Sequence, residues 1–344
     1  MYFWKKYGKI EQNNRCGGGS SPQFLRGGAM NTVKIKSYAK VNLTLEITGV
    51  QDGYHLLDST VANVDLFDLI VLKKRKDKLS RVTMKGMGSE SIPPEKNNAL
   101  KAAEAFSEAF QTGGADITVY KNIPIGAGLG GSSADVVGVL NGMAKLYGVE
   151  DRAALKALAD TLGSDTGYML TGGFARMQGR GEKVTPIAVN ERLHLLLICP
   201  QTGVSAGACY QQYDSLPQTL QWKESATQGC IEALLKKDIN GVGRYLMNDL
   251  YVPALHLNGD VEKAYEEASS FSPLGVTMSG SGSCVLALFE TRELCEWAKS
   301  RYKGKFRTYV THTLTPDYMK NKKSFGWRNP FVLSDEEIAE ADEQ

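Results

Sequence analysis

The stretch Asn122-Ile-Pro-Ile-Gly-Ala-Gly-Leu-Gly-Gly-Ser-Ser-Ala-Asp135 decides how the chain is read. It follows Asp116 to Tyr120, where apolar and polar residues alternate as in a strand. It precedes Val136, Val139, Leu140, Met143 and Leu146, which fall on one face of a helix stopped by Gly148. Glycines at such a junction let backbone N–H groups approach phosphate oxygens, and the helix start adds partial positive charge. Ser132 and Ser133 are expected to cap that helix, with hydroxyls that also reach phosphate or Mg²⁺. The plainer alternative is a glycine-rich turn that only caps a helix; four glycines with two serines favour phosphate. No Gly-Lys-Ser/Thr follows, so this is not a Walker A loop, and the spacing is not that of a dinucleotide fingerprint.

Working outward, Val33 and Ile35, then Leu43, Leu45 and Ile47, alternate like strands, and Ala99 to Phe110 has helical spacing. A second helix is expected from Ala153 to Leu162, ended by Gly163. Leu193 to Cys199 is a continuous apolar run, expected as a buried strand that opens the second half. Helical patterns continue to Ala268, and Val276–Ser279 and Cys284–Phe289 read as strands hinged on Gly280-Ser281-Gly282. Strands and helices mix without strict alternation, which predicts an α+β class. The expected organisation is a leader over 1–29, lobes over 30–190 and 191–314, and an extension over 315–344. The leader's Gly-Ser run is linker-like and reads as a tag or misassigned start rather than a transit peptide, which would be rich in Ser and Arg and poor in acids. The acidic end from Ser334 reads as a short solvated helix or disorder.

Composition is that of a globular protein, with 42% hydrophobic and 23% charged residues in 344. A net charge of +2 gives no field for nucleic acid. The six cysteines show no zinc spacing and no C-x-x-C pair, which predicts buried thiols and a reducing, cytoplasmic setting. No apolar run reaches the roughly 20 residues a membrane helix needs.

Two further residues invite chemistry. Lys40 lies in an otherwise apolar strand; alone, it reads as an edge residue pointing to water. Asp165, in Gly163-Ser-Asp165-Thr, reads equally as an ordinary helix N-cap. Together they suit phosphoryl transfer: an aspartate to orient or deprotonate a hydroxyl, and a cation to hold that aspartate ionised and offset phosphate charge.

The chain resembles the GHMP kinase superfamily through three motifs in order: Ala39-Lys-Val-Asn-Leu43, Pro124-Ile-Gly-Ala-Gly-Leu-Gly-Gly-Ser-Ser-Ala134, and Met278-Ser-Gly-Ser-Gly-Ser-Cys284. Asp52-Gly-Tyr-His55, Gly179-Arg-Gly-Glu-Lys183 and Asn248-Asp-Leu250 point to the branch that phosphorylates the 2-hydroxyl of 4-diphosphocytidyl-2-C-methyl-D-erythritol in the non-mevalonate isoprenoid pathway. The resemblance spans Val33 to Thr313 and implies a two-lobed fold with the active site in the cleft between lobes. It implies Lys40 and Asp165 as catalytic residues. It implies ATP, with Mg²⁺, on Pro124, Ile125, Gly126, Ala127, Gly128, Leu129, Gly130, Gly131, Ser132, Ser133 and Ala134. It also implies Asn42 near the polyol, Tyr54 and Tyr210 on either side of a cytosine, and His55 on the base's polar edge, so the partner is a small molecule carrying cytidine diphosphate. The chain departs from the branch's usual pattern at Ser132, Thr166, Gly167, Ala206 and Tyr251. The rival readings are another small alcohol as acceptor, or a ligand-binding relative without catalysis. A chain begun at Met30 is expected to keep its turnover and Tm; a large loss of either would show that the leader packs on the fold.

Overall fold

The strand that begins at Val33 belongs to a long bent ribbon. In the computed structural model, which describes residues 31–86, 88–89, 97–216 and 225–315, β1 (Thr32–Asn42) and β2 (Thr44–Gln51) run almost without interruption. They turn at Asp52-Gly53 into β3 (Tyr54–Lys74). Both turn residues are left-handed, at φ 52° and 76°, the two-residue hairpin that Asp-Gly favours. The leader, and the C-terminal extension beyond Thr315, lie outside the described residues.

β3 organises the larger sheet. Its 21 residues pair antiparallel with β2 and then β1 along one side. Along the other they pair with β6 (Phe174–Gly179) and then β5 (Ala115–Lys121). The edges are β4 (Arg81–Gly86), parallel to β5; β7 (Lys183–Pro186), beside β6; β9 (Met247–Asn248), parallel to β2; and β1, whose strand partner is β3. Leu66, Asp68, Ile70 and Leu72 of β3 alternate inward with period two. Helices α1 (Asn98–Ala109), α2 (Gly131–Tyr147), α3 (Arg152–Leu162) and α4 (Thr166–Thr171) belong to this half, and Val136, Val139, Leu140 and Met143 of α2 pack in one core with Ile70, Leu72 and Phe106.

The second half builds a four-stranded antiparallel sheet in the order β10 (Gly275–Met278), β11 (Val285–Phe289), β8 (His194–Cys199), β12 (Arg307–His312). The apolar run Leu195–Cys199 of β8 has a direct cause. Leu195, Leu197 and Cys199 of β8 join the core that contains Ala39, Val41 and Leu129 of the first half. Leu196 and Ile198 face a separate core beneath the helices. A strand buried on both faces needs apolar residues at every position. The expected helices form as α5 (Ala206–Ser215), α6 (Ala226–Leu235), α7 (Ile239–Tyr245), α8 (Tyr251–Leu257), α9 (Asp260–Ser269) and α10 (Arg292–Arg301). No helix of the described residues is long and apolar enough to cross a membrane. The described cysteines are free and buried.

Asn63, at the centre of β3 and 1% exposed, fixes where this framework meets the end of β1. Its Nδ2 donates to the Ala39 carbonyl at 3.1 Å, and its Oδ1 accepts from Gly173 N–H at 3.0 Å. Leu314 N–H donates to the Asn63 carbonyl at 2.9 Å, tying the end of the second half to β3. Asn63→Leu strands the Ala39 and Gly173 groups in the core, at about 1–3 kcal/mol for each unsatisfied group. Urea denaturation is expected to show a midpoint shifted by that order; an unchanged midpoint would mean that the asparagine holds nothing.

Candidate active site

Three segments remote in sequence converge at the end of β1. Lys40 and Asn42 lie two residues apart and so share a strand face. Contrary to its reading as an edge residue, Lys40 is only 6% exposed. It sits where the register of β1 against β3 slips, a place where strands re-aim side chains. Its Nζ donates to Asn42 Oδ1 at 2.7 Å and lies 3.3 Å from Asp165 Oδ2. Asn42 Nδ2 donates to Ser59 Oγ at 2.8 Å, which fixes the amide with its oxygen toward the lysine.

Asp165 occupies the N-cap position of α4, yet its side chain makes no capping hydrogen bond. The carboxylate faces Lys40 instead. The pair is asymmetric: the lysine side chain is 7% exposed and the aspartate 27%. The cation is fixed and the carboxylate is reachable.

The glycine loop lies directly over this pair. Gly128 and Gly130 have φ of 75° and 69°, a region that costs other residues strain. A Cβ on Gly128 would run into the Ser279 carbonyl; one on Gly130 would come 2.9 Å from Lys40 Cγ. These glycines therefore serve the passage of protein against protein, whatever else the loop binds. Lys40 N–H donates to Leu129 O at 3.0 Å, and Cys284 N–H to Ala127 O at 3.2 Å. The Ser279 hydroxyl donates to Gly128 O at 3.0 Å and accepts from Asn42 N–H at 3.2 Å, so a single side chain ties all three motifs together. Asn248 Nδ2 donates to the carbonyls of Met278 and Gly280 at 2.6 and 2.8 Å and holds the third motif in place.

One sequence expectation needs correction. Ser132 and Ser133 do not cap α2: the cap is Gly130, in the left-handed conformation and with no side-chain bond, and the serines lie inside the first turn. Ser132 Oγ accepts from Asn98 Nδ2 at 2.8 Å. Without a side-chain cap, the first N–H groups of α2 remain for a ligand. They border a cleft of about 440 Å³ lined by Pro124 to Ser133 together with Met84, Asn97, Asn98, Lys121 and Asp135. Ala134 instead joins the buried core. Lys121 forms ion pairs with Asp68 and Asp135. Burial pushes the Asp135 carboxyl up to about 7. Burial alone would lower Lys121, but the two carboxylates outweigh it and raise the pKa above the ordinary lysine value.

The His55 ring stacks on Tyr210 with centroids 4.7 Å apart, and His55 Nε2 lies 2.7 Å from Asp214 Oδ1. Burial, with a smaller contribution from the Asp165 charge, pushes the Tyr210 phenol up to about 12, so it stays protonated. Tyr54 is 57% exposed, and its ring lies under the Arg180 guanidinium at 4.1 Å. The structure thus joins His55 to Tyr210 and gives Tyr54 a different contact. Asn97, Asn98, Ser59 and the Asp68–Lys121–Asp135 cluster were not singled out from sequence. Asp68 carried a signal, since it is the acid in the inward-facing register of Leu66, Ile70 and Leu72.

Residues 97–175 match the family described as GHMP kinases N terminal domain, and residues 230–303 match GHMP kinases C terminal. The fold is therefore that of the GHMP kinase class. The chain is 34% identical over 287 residues to the 4-diphosphocytidyl-2-C-methyl-D-erythritol kinase of Clostridium beijerinckii, covering 82% of this chain and 100% of that one. A crystal structure of 4-(cytidine 5'-diphospho)-2C-methyl-D-erythritol kinase superposes with TM-score 0.69 at 30% identity, covering 82% of this chain and 99% of that one. Homoserine kinase from Cytophaga hutchinsonii shares the fold, with TM-score 0.65 at 20% identity, covering 85% of this chain and 98% of that one. The chain belongs to the 4-diphosphocytidyl-2-C-methyl-D-erythritol kinase family.

Because Gly130 abuts the lysine stem, Gly130→Ala acts on Lys40 as well as on the loop. The added methyl displaces the stem, and turnover is expected to fall more than tenfold while circular dichroism stays unchanged. Turnover within twofold of the wild type would show that the contact does not position the lysine.

Proposed function

We infer that this chain transfers the γ-phosphoryl group of ATP to the 2-hydroxyl of 4-diphosphocytidyl-2-C-methyl-D-erythritol, a step of the non-mevalonate isoprenoid pathway. The observation that carries the reading is the Lys40–Asp165 pair, 3.3 Å apart, directly beneath a glycine loop that ends in an uncapped helix start. Membership of the kinase family supports the acceptor and the donor.

The chemistry follows from the asymmetry of the pair. The acceptor hydroxyl donates its hydrogen bond to Asp165, whose carboxylate orients it and takes the proton as the oxygen attacks the γ-phosphorus. The bond from that phosphorus to the β–γ bridging oxygen breaks, and ADP leaves with the electron pair. Lys40, held by Asn42, pairs with the Asp165 carboxylate and offsets the charge on the group in transfer. The loop amides and the first turn of α2 would carry the phosphates. Mg²⁺ suits this donor set. Among the described residues no cluster of three or more His, Cys, Asp or Glu could hold a metal, and Mg²⁺ commonly rides on nucleotide phosphates with few protein ligands. The Ser132 and Ser133 hydroxyls would be its oxygen donors, and the ion would supply charge neutralisation.

The cytidine end falls to Tyr54, His55 and Tyr210, aromatic groups that suit base stacking with a hydrogen-bonding edge. Two of the family departures are turned to packing. The Thr166 hydroxyl donates to the Ala159 carbonyl, and the Tyr251 ring packs on Tyr265 with centroids 4.7 Å apart. Buried free thiols and a small-molecule acceptor are in keeping with a cytoplasmic enzyme.

Asp165→Asn keeps the shape but loses the charge and the proton acceptor, so kcat should fall by roughly 10²–10⁴-fold while ATP still binds. Lys40→Met should fall as well, and the double variant should be little worse than the weaker single one if the two act as a unit. Near-normal turnover in Asp165→Asn would end its assignment. Cytidine nucleotides should compete with the acceptor; failure to compete would point to a different small alcohol.

A further inference from the structure

The proposed mechanism leaves one group of buried charges unused. Asp68 lies on β3 at 0% exposure, Lys121 is the last residue of β5, and Asp135 sits in α2 just beyond the loop. Lys121 Nζ is 2.5 Å from Asp68 Oδ2 and 2.8 Å from Asp135 Oδ2. The second oxygen of Asp68 accepts from the N–H groups of Asn122 and Ile123, at 2.6 and 2.8 Å. Among the described residues, Asp135 Oδ1 has no hydrogen-bond partner.

The placement of these contacts is what matters. The glycine loop leaves β5 at Lys121 and enters α2 at Gly131. Asp68 pins the first two loop amides to β3, and the Lys121–Asp135 bridge joins the loop's entrance to its exit. A Cβ on Gly131 would lie 3.6 Å from Lys121 Nζ, so the ammonium sits behind the first residue of the helix. The loop itself has glycine at four of its positions and little stiffness of its own. A surface ion pair would hold it weakly, because water screens it. This one is enclosed, with side-chain exposures of 3%, 0% and 7%, where the attraction is far less screened.

We propose that Asp68, Lys121 and Asp135 form a clasp across the neck of the glycine loop that sets the spacing of its phosphate-facing amides, and that these three are positioning residues for the nucleotide. This rests on the reading of the loop as the ATP site. The clasp acts through the backbone, so it governs nucleotide affinity and leaves the Lys40–Asp165 chemistry alone. Removing Asp135 opens the bridge but leaves a neutral Asp68–Lys121 pair in the core, so the protein stays folded. Asparagine at the same position retains an oxygen that accepts from Lys121.

The test measures binding of a non-hydrolysable ATP analogue by calorimetry to the wild type, Asp135→Ala and Asp135→Asn, together with KM and kcat in steady state. For Asp135→Ala the clasp requires at least a tenfold loss of analogue affinity and a matching rise in the KM for ATP. Its kcat and the KM for the alcohol should stay within about twofold. Asp135→Asn should recover most of the affinity. If Asp135→Ala melts near the assay temperature, Asp68→Asn read at lower temperature should show the same split. Wild-type affinity in folded Asp135→Ala would overturn the clasp, as would a loss of kcat at constant affinity. A wild type that binds no analogue would instead refute the assignment of the loop, so the two failures are distinguishable.

Discussion

The site depends on one close crossing, where the backbone of the glycine loop passes over the turn between β10 and β11. Gly128 lies against the Ser279 carbonyl with no room for a Cβ, and the Ser279 hydroxyl bonds both to that loop and to the β1 backbone at Asn42. A hydroxyl both donates and accepts, so one small side chain satisfies a carbonyl and an N–H that would otherwise be buried unpaired. The crossing brings the two halves of the chain into register where Lys40 emerges. Asn248, on the short strand β9, anchors the turn from behind and pairs the second half to β2. The three recurring motifs are thus one packing unit, which gives a physical reason for their occurring together.

The electrostatics build on that unit. Burying an ammonium is costly unless it is paired and hydrogen-bonded. Lys40 meets both conditions through Asp165 and Asn42, and a second lysine, Lys121, meets them through Asp68 and Asp135. The two clusters flank the same loop but differ in access. The Lys40 cluster keeps a partly exposed carboxylate, suited to a proton; the Lys121 cluster is almost wholly buried, suited to holding backbone. Similar residue types thus serve two ends, separated by burial.

Much of this was legible in the sequence, where local pattern and physics coincide. The strand–loop–helix around Gly126–Gly131, the α2 face stopped by Gly148, and the hinge at Gly280–Gly282 follow from glycine and from period. Lys40 was not legible as a buried cation, because alternation in β1 does not show that the glycine loop covers its outer edge there. The 21-residue β3 was missed because its partners change along its length, so its inward face is set by four neighbours and not by one amphipathic pattern. The serine caps were wrong for a related reason: a left-handed glycine took the cap position and freed the serines for Asn98 and the cleft. The Asp68–Lys121–Asp135 cluster joins residues 53 and 14 positions apart, a distance that no local pattern spans.

The most direct test of the account is to follow the phosphoryl group itself. The protein would be incubated with Mg²⁺, γ-labelled ATP and 4-diphosphocytidyl-2-C-methyl-D-erythritol, and the product examined by phosphorus NMR with coupling to carbon. The account predicts a new phosphomonoester on the 2-hydroxyl oxygen, formed in step with ADP. Label found only as inorganic phosphate, or on another alcohol in preference to this one, would contradict it.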